Sequence, residues 1–135
     1  MLKKNFLALD VGDKRIGLAV ADSEVKIAVP FGYLINDEQI ITKITETILA
    51  QKASVVVVGY PRNQSGESTK QTEIVEEFAG RLAQIDVDAE LVLQDESLTS
   101  VEAERRLGQV KDKGLIDAEA ASIILQDYLE EKYGY

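Results

Sequence analysis

The sequence predicts an α/β domain, a mixed five-stranded sheet of order 3-2-1-4-5 flanked by helices. Three observations predict it. Residues 5–34 hold three short apolar runs with brief polar connections, the pattern of an antiparallel meander. Ala53-Ser54-Val55-Val56-Val57-Val58-Gly59 is a continuous β-branched run, as in a central strand covered on both faces. Elsewhere apolar residues recur at helical spacing, so the later strands are each reached through a helix.

Residues 5–10 and 16–22 read as the first two strands, joined by Val11-Gly12-Asp13-Lys14-Arg15. Residues 26–34 read as the third, where Pro30 indicates an edge or a bulge. From Asp37 the period changes: Ile40, Ile41, Ile44 and Ile48 mark a helix, with Asn36 or Asp37 as N-cap. The Val55–Val58 strand follows, then the polar loop Tyr60-Pro61-Arg62-Asn63-Gln64-Ser65-Gly66-Glu67. A capping box at Ser68-Thr69-Lys70-Gln71 opens a helix with Ile74, Val75, Phe78, Leu82 and Ile85 on one face. Residues 89–94 form the fifth strand. A second box, Thr99-Ser100-Val101-Glu102, starts a basic helix to about Val110. Gly114 breaks the chain, and Asp117 opens a last helix to about Lys132. The element order is βββαβαβαα. Right-handed crossovers place the fourth strand parallel to the first and beside it, which gives the 3-2-1-4-5 order. Ligand sites in such sheets favour the point where the chain reverses direction, and Asp10 and Gly59 both lie there.

At 135 residues the chain reads as one domain, residues 1–135, able to bury a core without disulfides. It contains no histidine and no cysteine, so Ser-His-Asp hydrolysis, Cys-His chemistry and thiolate or imidazole zinc sites are excluded. Its longest apolar runs are too short to cross a bilayer, and the N-terminus shows no signal-peptide cleavage site. A soluble cytoplasmic protein is expected. The net charge of −9 argues against binding nucleic acid over the whole surface, but the charge is uneven. Residues 1–36 carry five Lys/Arg against four Asp/Glu, and residues 105–113 carry four against one. A nucleic acid held on one face is compatible with that distribution. No hydrophobic interface is legible, so oligomeric state is left open.

Three carboxylates stand at the margins of apolar segments, where a bare charge is costly unless paired or bound to metal. Asp10 closes the first strand, and the period of two puts it on the face of Phe6 and Ala8. The alternative is an ordinary turn residue before Val11-Gly12-Asp13. Glu96 follows the fifth strand, where neighbouring Asp95 is chemically as suitable. Asp117 suits an N-cap, and helical spacing sets it on the stripe of Ala121, Ile124 and Tyr128 that must pack on the sheet. Oxygen ligands of this kind suit Mg²⁺ or Mn²⁺, and paired ions of that type support phosphodiester hydrolysis without His or Cys.

Four blocks then carry a family resemblance. Leu9-Asp10-Val11-Gly12-Asp13-Lys14-Arg15-Ile16-Gly17-Leu18-Ala19-Val20-Ala21-Asp22 resembles the opening signature of the YqgF/RuvX family, described both as Holliday junction resolvases and as pre-16S rRNA nucleases. Val58-Gly59-Tyr60-Pro61-Arg62-Asn63 with Gly66 and Gln71 resembles its second block, and Asp95-Glu96-Ser97-Leu98-Thr99-Ser100 its third. Asp117 with Ala120, Ala121, Ile124, Leu125, Gln126, Tyr128 and Leu129 resembles its fourth. The blocks stand in order over essentially the whole chain.

The resemblance implies an RNase H-like fold and a Mg²⁺-dependent endonuclease, with Mn²⁺ as the other candidate ion. It implies that Asp10, Glu96 and Asp117 bind the metal, choosing Glu96 over Asp95. The implied partner is a structured nucleic acid, pre-16S rRNA matured at its 5′ end or, alternatively, branched DNA. Lys14 and Arg15 beside Asp10, and Arg62 and Asn63 in the loop, are the expected phosphate contacts. The family commonly carries Arg after the third-block Glu, where this chain has Ser97, and Arg105 or Arg106 is the expected substitute. A noncatalytic RNA-binding module is the competing class. An ATP-handling relative is disfavoured, because such folds need two domains and no Gly-x-x-x-x-Gly-Lys-Ser/Thr loop is present.

Overall fold

A computed structural model of the protein describes residues 3–61, 70–96, 105, 108 and 112–134. Five strands form one mixed sheet of order β3-β2-β1-β4-β5, as predicted. They are β1 (Asn5–Val11), β2 (Arg15–Asp22), β3 (Val29–Ile35), β4 (Val55–Pro61) and β5 (Glu90–Glu96). β1 pairs antiparallel with β2 and parallel with β4, β2 pairs antiparallel with β3, and β4 pairs parallel with β5. The helices are α1 (Ile40–Gln51), α2 (Lys70–Ala83) and α3 (Lys113–Tyr133).

The alternation of side chains along β1 and β4 sorts the core into two layers. Leu7, Leu9, Val11, Val56 and Val58 face α1 and α2, where Ile40, Ile44, Ile48, Val75, Phe78 and Leu82 complete one cluster. Phe6, Ala8, Val55 and Val57 face α3 and pack with Ala121, Ile124, Leu125, Tyr128 and Leu129. The small residues Ala8, Ala19 and Ala121 let α3 lie close to the sheet at its middle. At its far end Phe6 meets Tyr128 and Tyr133 edge-on, with ring centroids 5.9 and 6.4 Å apart.

Several boundaries differ from expectation, each for a local reason. β3 begins at Val29 rather than residue 26, because the Asp22 carboxylate accepts hydrogen bonds from the N–H groups of Glu24 and Val25. That turn sets Lys26 at φ 62°, which no strand tolerates. Pro30 does stand on an edge strand, and the pairing shifts between Gly17 and Ala19, a bulge where Gly32 takes φ 89°. α1 has neither Asn36 nor Asp37 as its cap: Gln39 holds that position without a side-chain bond. Asp37 instead accepts from the Gln39 N–H in an Asx turn, and the Asn36 amide is engaged elsewhere. Ile85 lies beyond the end of α2, though it still packs against the core.

The largest correction concerns the last helix. It starts at Lys113, capped by Asp112, whose carboxylate accepts from the Gly114 N–H at 2.9 Å. Asp117 is therefore one turn inside the helix and is not its cap. Gly114 does not break the chain. It is buried in the first turn, and a Cβ there would fall on the Tyr33 ring, so glycine serves close packing against β3. Of the basic helix expected over residues 99–110, only Arg105 and Gly108 are among the described residues, and Arg105 is helical and exposed. No helix among the described residues is long and apolar enough to cross a membrane.

Candidate active site

The sheet register builds the site. Asp10, Gly17 and Tyr33 stand opposite one another on three adjacent strands, a row across β1, β2 and β3. Opposed residues project to the same face of a sheet, here the face that α3 covers. Gly17 is the hinge of the arrangement. A Cβ there would overlap the backbone carbonyl of Asp117, so only glycine lets the second turn of α3 rest on β2. Asp117 is thereby held over the residue paired with Asp10, and both carboxylates lie on one face, partly exposed.

Arg15, two residues before Gly17 on the same face of β2, completes the pairing. Its Nε donates to Asp117 Oδ2 at 2.7 Å, with the two side chains 28% and 26% exposed. A charge-assisted bond of that length, three-quarters removed from water, holds more firmly than a surface pair. Arg15 was expected to contact phosphate, and its partner here is a carboxylate.

The turn that presents Arg15 is tied down from several directions. The Gly12 N–H donates to the Arg15 carbonyl at 2.9 Å, and a Cβ on Gly12 would come within 2.7 Å of that oxygen. The Asn36 amide donates to the Gly12 carbonyl at 2.8 Å, and the Gln71 amide to the Val11 carbonyl at 2.7 Å. Asn36 and Gln71 thus fix the hairpin from the end of β3 and the start of α2. Neither role is visible locally, since an amide's distant partner leaves no mark on its own sequence neighbourhood. Lys14 is exposed at the hairpin tip.

Glu96 is the last residue of β5, where its backbone pairs with Pro61 of β4. Its side chain lies outside the described residues. Its neighbour Asp95 is described and exposed, opposite Tyr60. Arg62, Asn63, Ser97 and Arg106 also lie outside the described residues. Among the described residues no group of three or more Asp, Glu, His or Cys is close enough to hold a metal. The residues brought together are Asp10 and Asp117. They offer hard oxygen donors, of the kind that suit Mg²⁺ or Mn²⁺, and one oxygen of Asp117 is paired with the guanidinium of Arg15.

The comparisons with known proteins agree with this architecture. Residues 4–131 match the family model RuvX, described as Holliday junction resolvase. A protein of Chloroflexus aurantiacus named "Putative pre-16S rRNA nuclease" is 42% identical over 134 residues, covering 93% of this chain and 86% of the relative. Namesakes from a Sulfurihydrogenibium species and from Fusobacterium nucleatum are 40% and 35% identical, covering 92% and 96% of this chain and 88% and 99% of theirs. Among solved structures, Thermus thermophilus RuvC in complex with a Holliday junction matches with a TM-score of 0.57 at 16% identity, over 97% of this chain and 96% of that one. The Fowlpox virus resolvase with junction DNA matches at 0.58 and 12% identity, over 95% and 98%. These two likenesses establish the RNase H-like fold of the resolvases.

Proposed function

The chain belongs to the RuvX family, and from that premise we propose that it is a cytoplasmic, metal-dependent endonuclease that hydrolyses phosphodiester bonds in structured nucleic acid. The substrate we assign is pre-16S rRNA, cut in maturation of its 5′ end, after the names of the relatives at 35–42% identity. The single observation that carries the reading is the row Asp10–Gly17 with Asp117 seated above it, two carboxylates held on one face at the carboxyl end of β1.

Asp10 and Asp117 hold Mg²⁺, or Mn²⁺, together with Glu96. The family resemblance of Asp95-Glu96-Ser97-Leu98-Thr99-Ser100 supports the third assignment. When bound, such ions activate the attacking water and stabilise the leaving oxygen. The chain's own cations do the remainder. Arg15 keeps Asp117 neutralised when no metal is present, which prevents two half-buried carboxylates from repelling one another. Lys14, exposed beside it, meets the phosphate backbone, where it positions the substrate without reading sequence. Arg62, Asn63, Arg105 and Arg106 belong to the same proposal as further phosphate contacts.

The family description favours a second reading, resolution of branched DNA. One experiment separates the readings. The protein is incubated with precursor 16S rRNA and with a four-way DNA junction, each with and without Mg²⁺. Mg²⁺-dependent cleavage of the RNA is the expected result. Cleavage of the junction alone selects the second reading, and binding without cleavage of either points to a noncatalytic RNA-binding module.

A further inference from the structure

β3 carries six exposed apolar or aromatic side chains in or next to it: Val25, Ile27, Val29, Phe31, Tyr33 and Ile35. Among the described residues nothing pairs with its outer edge. Pro30 and the bulge at Gly32 blunt that edge against a further strand, because they remove a donor and break the ladder. Its backbone is thus a poor template while its side chains remain presented. Phe31 and Tyr33 are each 43% exposed.

The charge around this strand is unlike the rest of the chain. Residues 25–36 contain no Asp or Glu, in a protein of net charge −9. Arg15 pairs with Ile35 at one end of β3, with Lys14 beside it. At the other end, a groove of about 400 Å³ is lined by Lys3, Lys4, Lys26 and Lys132 with Glu24 as its one acid. Lys26 is poised 4.9 Å from the Tyr133 ring centroid. Among the described residues Lys3, Lys4 and Lys132 form no ion pair. The outer surface of α3 offers no rival path, since Asp127, Glu130 and Glu131 are exposed along it.

By the pairing with β2, Tyr33 and Pro30 project to the α3 face and Phe31 to the opposite one. Cations at both ends of an acid-free strand, with the Tyr33 ring between them, thus form a track on the α3 side for single-stranded nucleic acid, phosphates on the lysines and a base on that ring. The track starts at the candidate site. Tyr33 stands in the row of Asp10 and Gly17, two strand spacings or ~10 Å from Asp10. We propose that a single-stranded stretch of the substrate leaves the Asp10–Asp117 site across the Tyr33 ring. From there it follows β3 and ends its phosphate contacts in the lysine groove. β3 is ~20 Å long, the length of roughly six stacked nucleotides. This inference rests on the nucleic-acid reading above and adds the form of substrate it takes.

The test is equilibrium binding in EDTA, where cleavage cannot intervene, to a blunt RNA duplex and to the same duplex with a single-stranded flank of about six nucleotides. The flanked duplex binds the native protein at least tenfold more tightly. Tyr33→Leu removes roughly tenfold of that preference, the scale of one base–ring stack, whereas Tyr33→Phe retains it and Phe31→Leu, on the opposite face, leaves it unchanged. Tyr33 packs on Gly114, so native circular dichroism of Tyr33→Leu guards against a folding defect. Lys3→Gln with Lys4→Gln lowers the slope of log Kd against log salt by roughly 1.4, about 0.7 per lost phosphate contact. Equal affinity for flanked and blunt duplexes, or a preference indifferent to Tyr33→Leu, overturns the track. A protein that keeps the preference but never cuts would refute the nuclease reading alone. Cleavage without any flank preference would refute the track alone.

Discussion

Arg15 Nε lies 2.7 Å from Asp117 Oδ2, an ion pair between residues 102 positions apart in the chain. It joins the first strand hairpin to the last helix beside Asp10, the penultimate residue of β1. Because both side chains are mostly withdrawn from water, the pair is stronger than an exposed one, though still partly screened. A double-mutant cycle of Arg15→Gln and Asp117→Asn is expected to give a coupling energy of about 1 kcal/mol in urea unfolding. Additive single effects would mean that the contact is not formed in solution.

Gly17 is expected to tolerate no side chain. Gly17→Ala sets a methyl group against the Asp117 carbonyl, so α3 must lift from β2 or the strand must bend. Overpacking of this kind costs about 1–3 kcal/mol, measurable as a lowered Tm. Cleavage should fall further than the stability loss explains, because the displaced helix carries Asp117. Gly80→Ala, in α2 with nothing within 4 Å of the added Cβ, is the matched control.

The segment between β2 and β3 is held from α3. Gln126 Oε1 accepts from the Ala28 N–H at 2.9 Å, and its Nε2 donates to the Lys26 carbonyl at 3.4 Å. Gln126→Ala leaves a partly buried N–H without that acceptor, at a cost of about 1–2 kcal/mol. Hydrogen exchange of the Ala28 amide should accelerate before that of the β1 and β4 amides. Unchanged exchange at Ala28 would show that the contact does not restrain the segment.

Acid should loosen the same segment. The Val25 N–H, foremost, and then the Glu24 N–H and the charge of Lys3 hold the Asp22 carboxyl below its ordinary value of 3.8. The folded pKa is depressed, so the stability from this turn is fully present above the unfolded value. It is lost as pH falls from about 4 through the folded pKa. Asp22→Asn should flatten the pH dependence of stability in that acidic window and leave it unchanged near neutrality.

Much of this architecture was legible in the chain. The uninterrupted β-branched run at Val55–Val58 and the closely spaced strands before it lead directly to the 3-2-1-4-5 sheet, because crossover handedness leaves few alternatives. Local signals misled where a tertiary contact took precedence. Gly114 reads as a breaker, yet it serves the Tyr33 ring within a helix already begun. Asp117 reads as a cap, yet Asp112 does that work. Arg15 reads as a phosphate contact, and only the approach of α3, permitted by Gly17, reveals its carboxylate partner. A residue's neighbours in sequence constrain its backbone, while its role in the site depends on what the fold carries to it.

The most direct test of the proposed site is Mn²⁺ binding followed by electron paramagnetic resonance, with native protein, Asp10→Asn, Asp117→Asn and the exposed control Asp13→Asn. Native protein and Asp13→Asn are expected to bind the ion alike, and each of the other two to bind at least tenfold more weakly while keeping native circular dichroism. Asp10→Asn and Asp117→Asn binding Mn²⁺ as the native protein does would contradict the shared metal site.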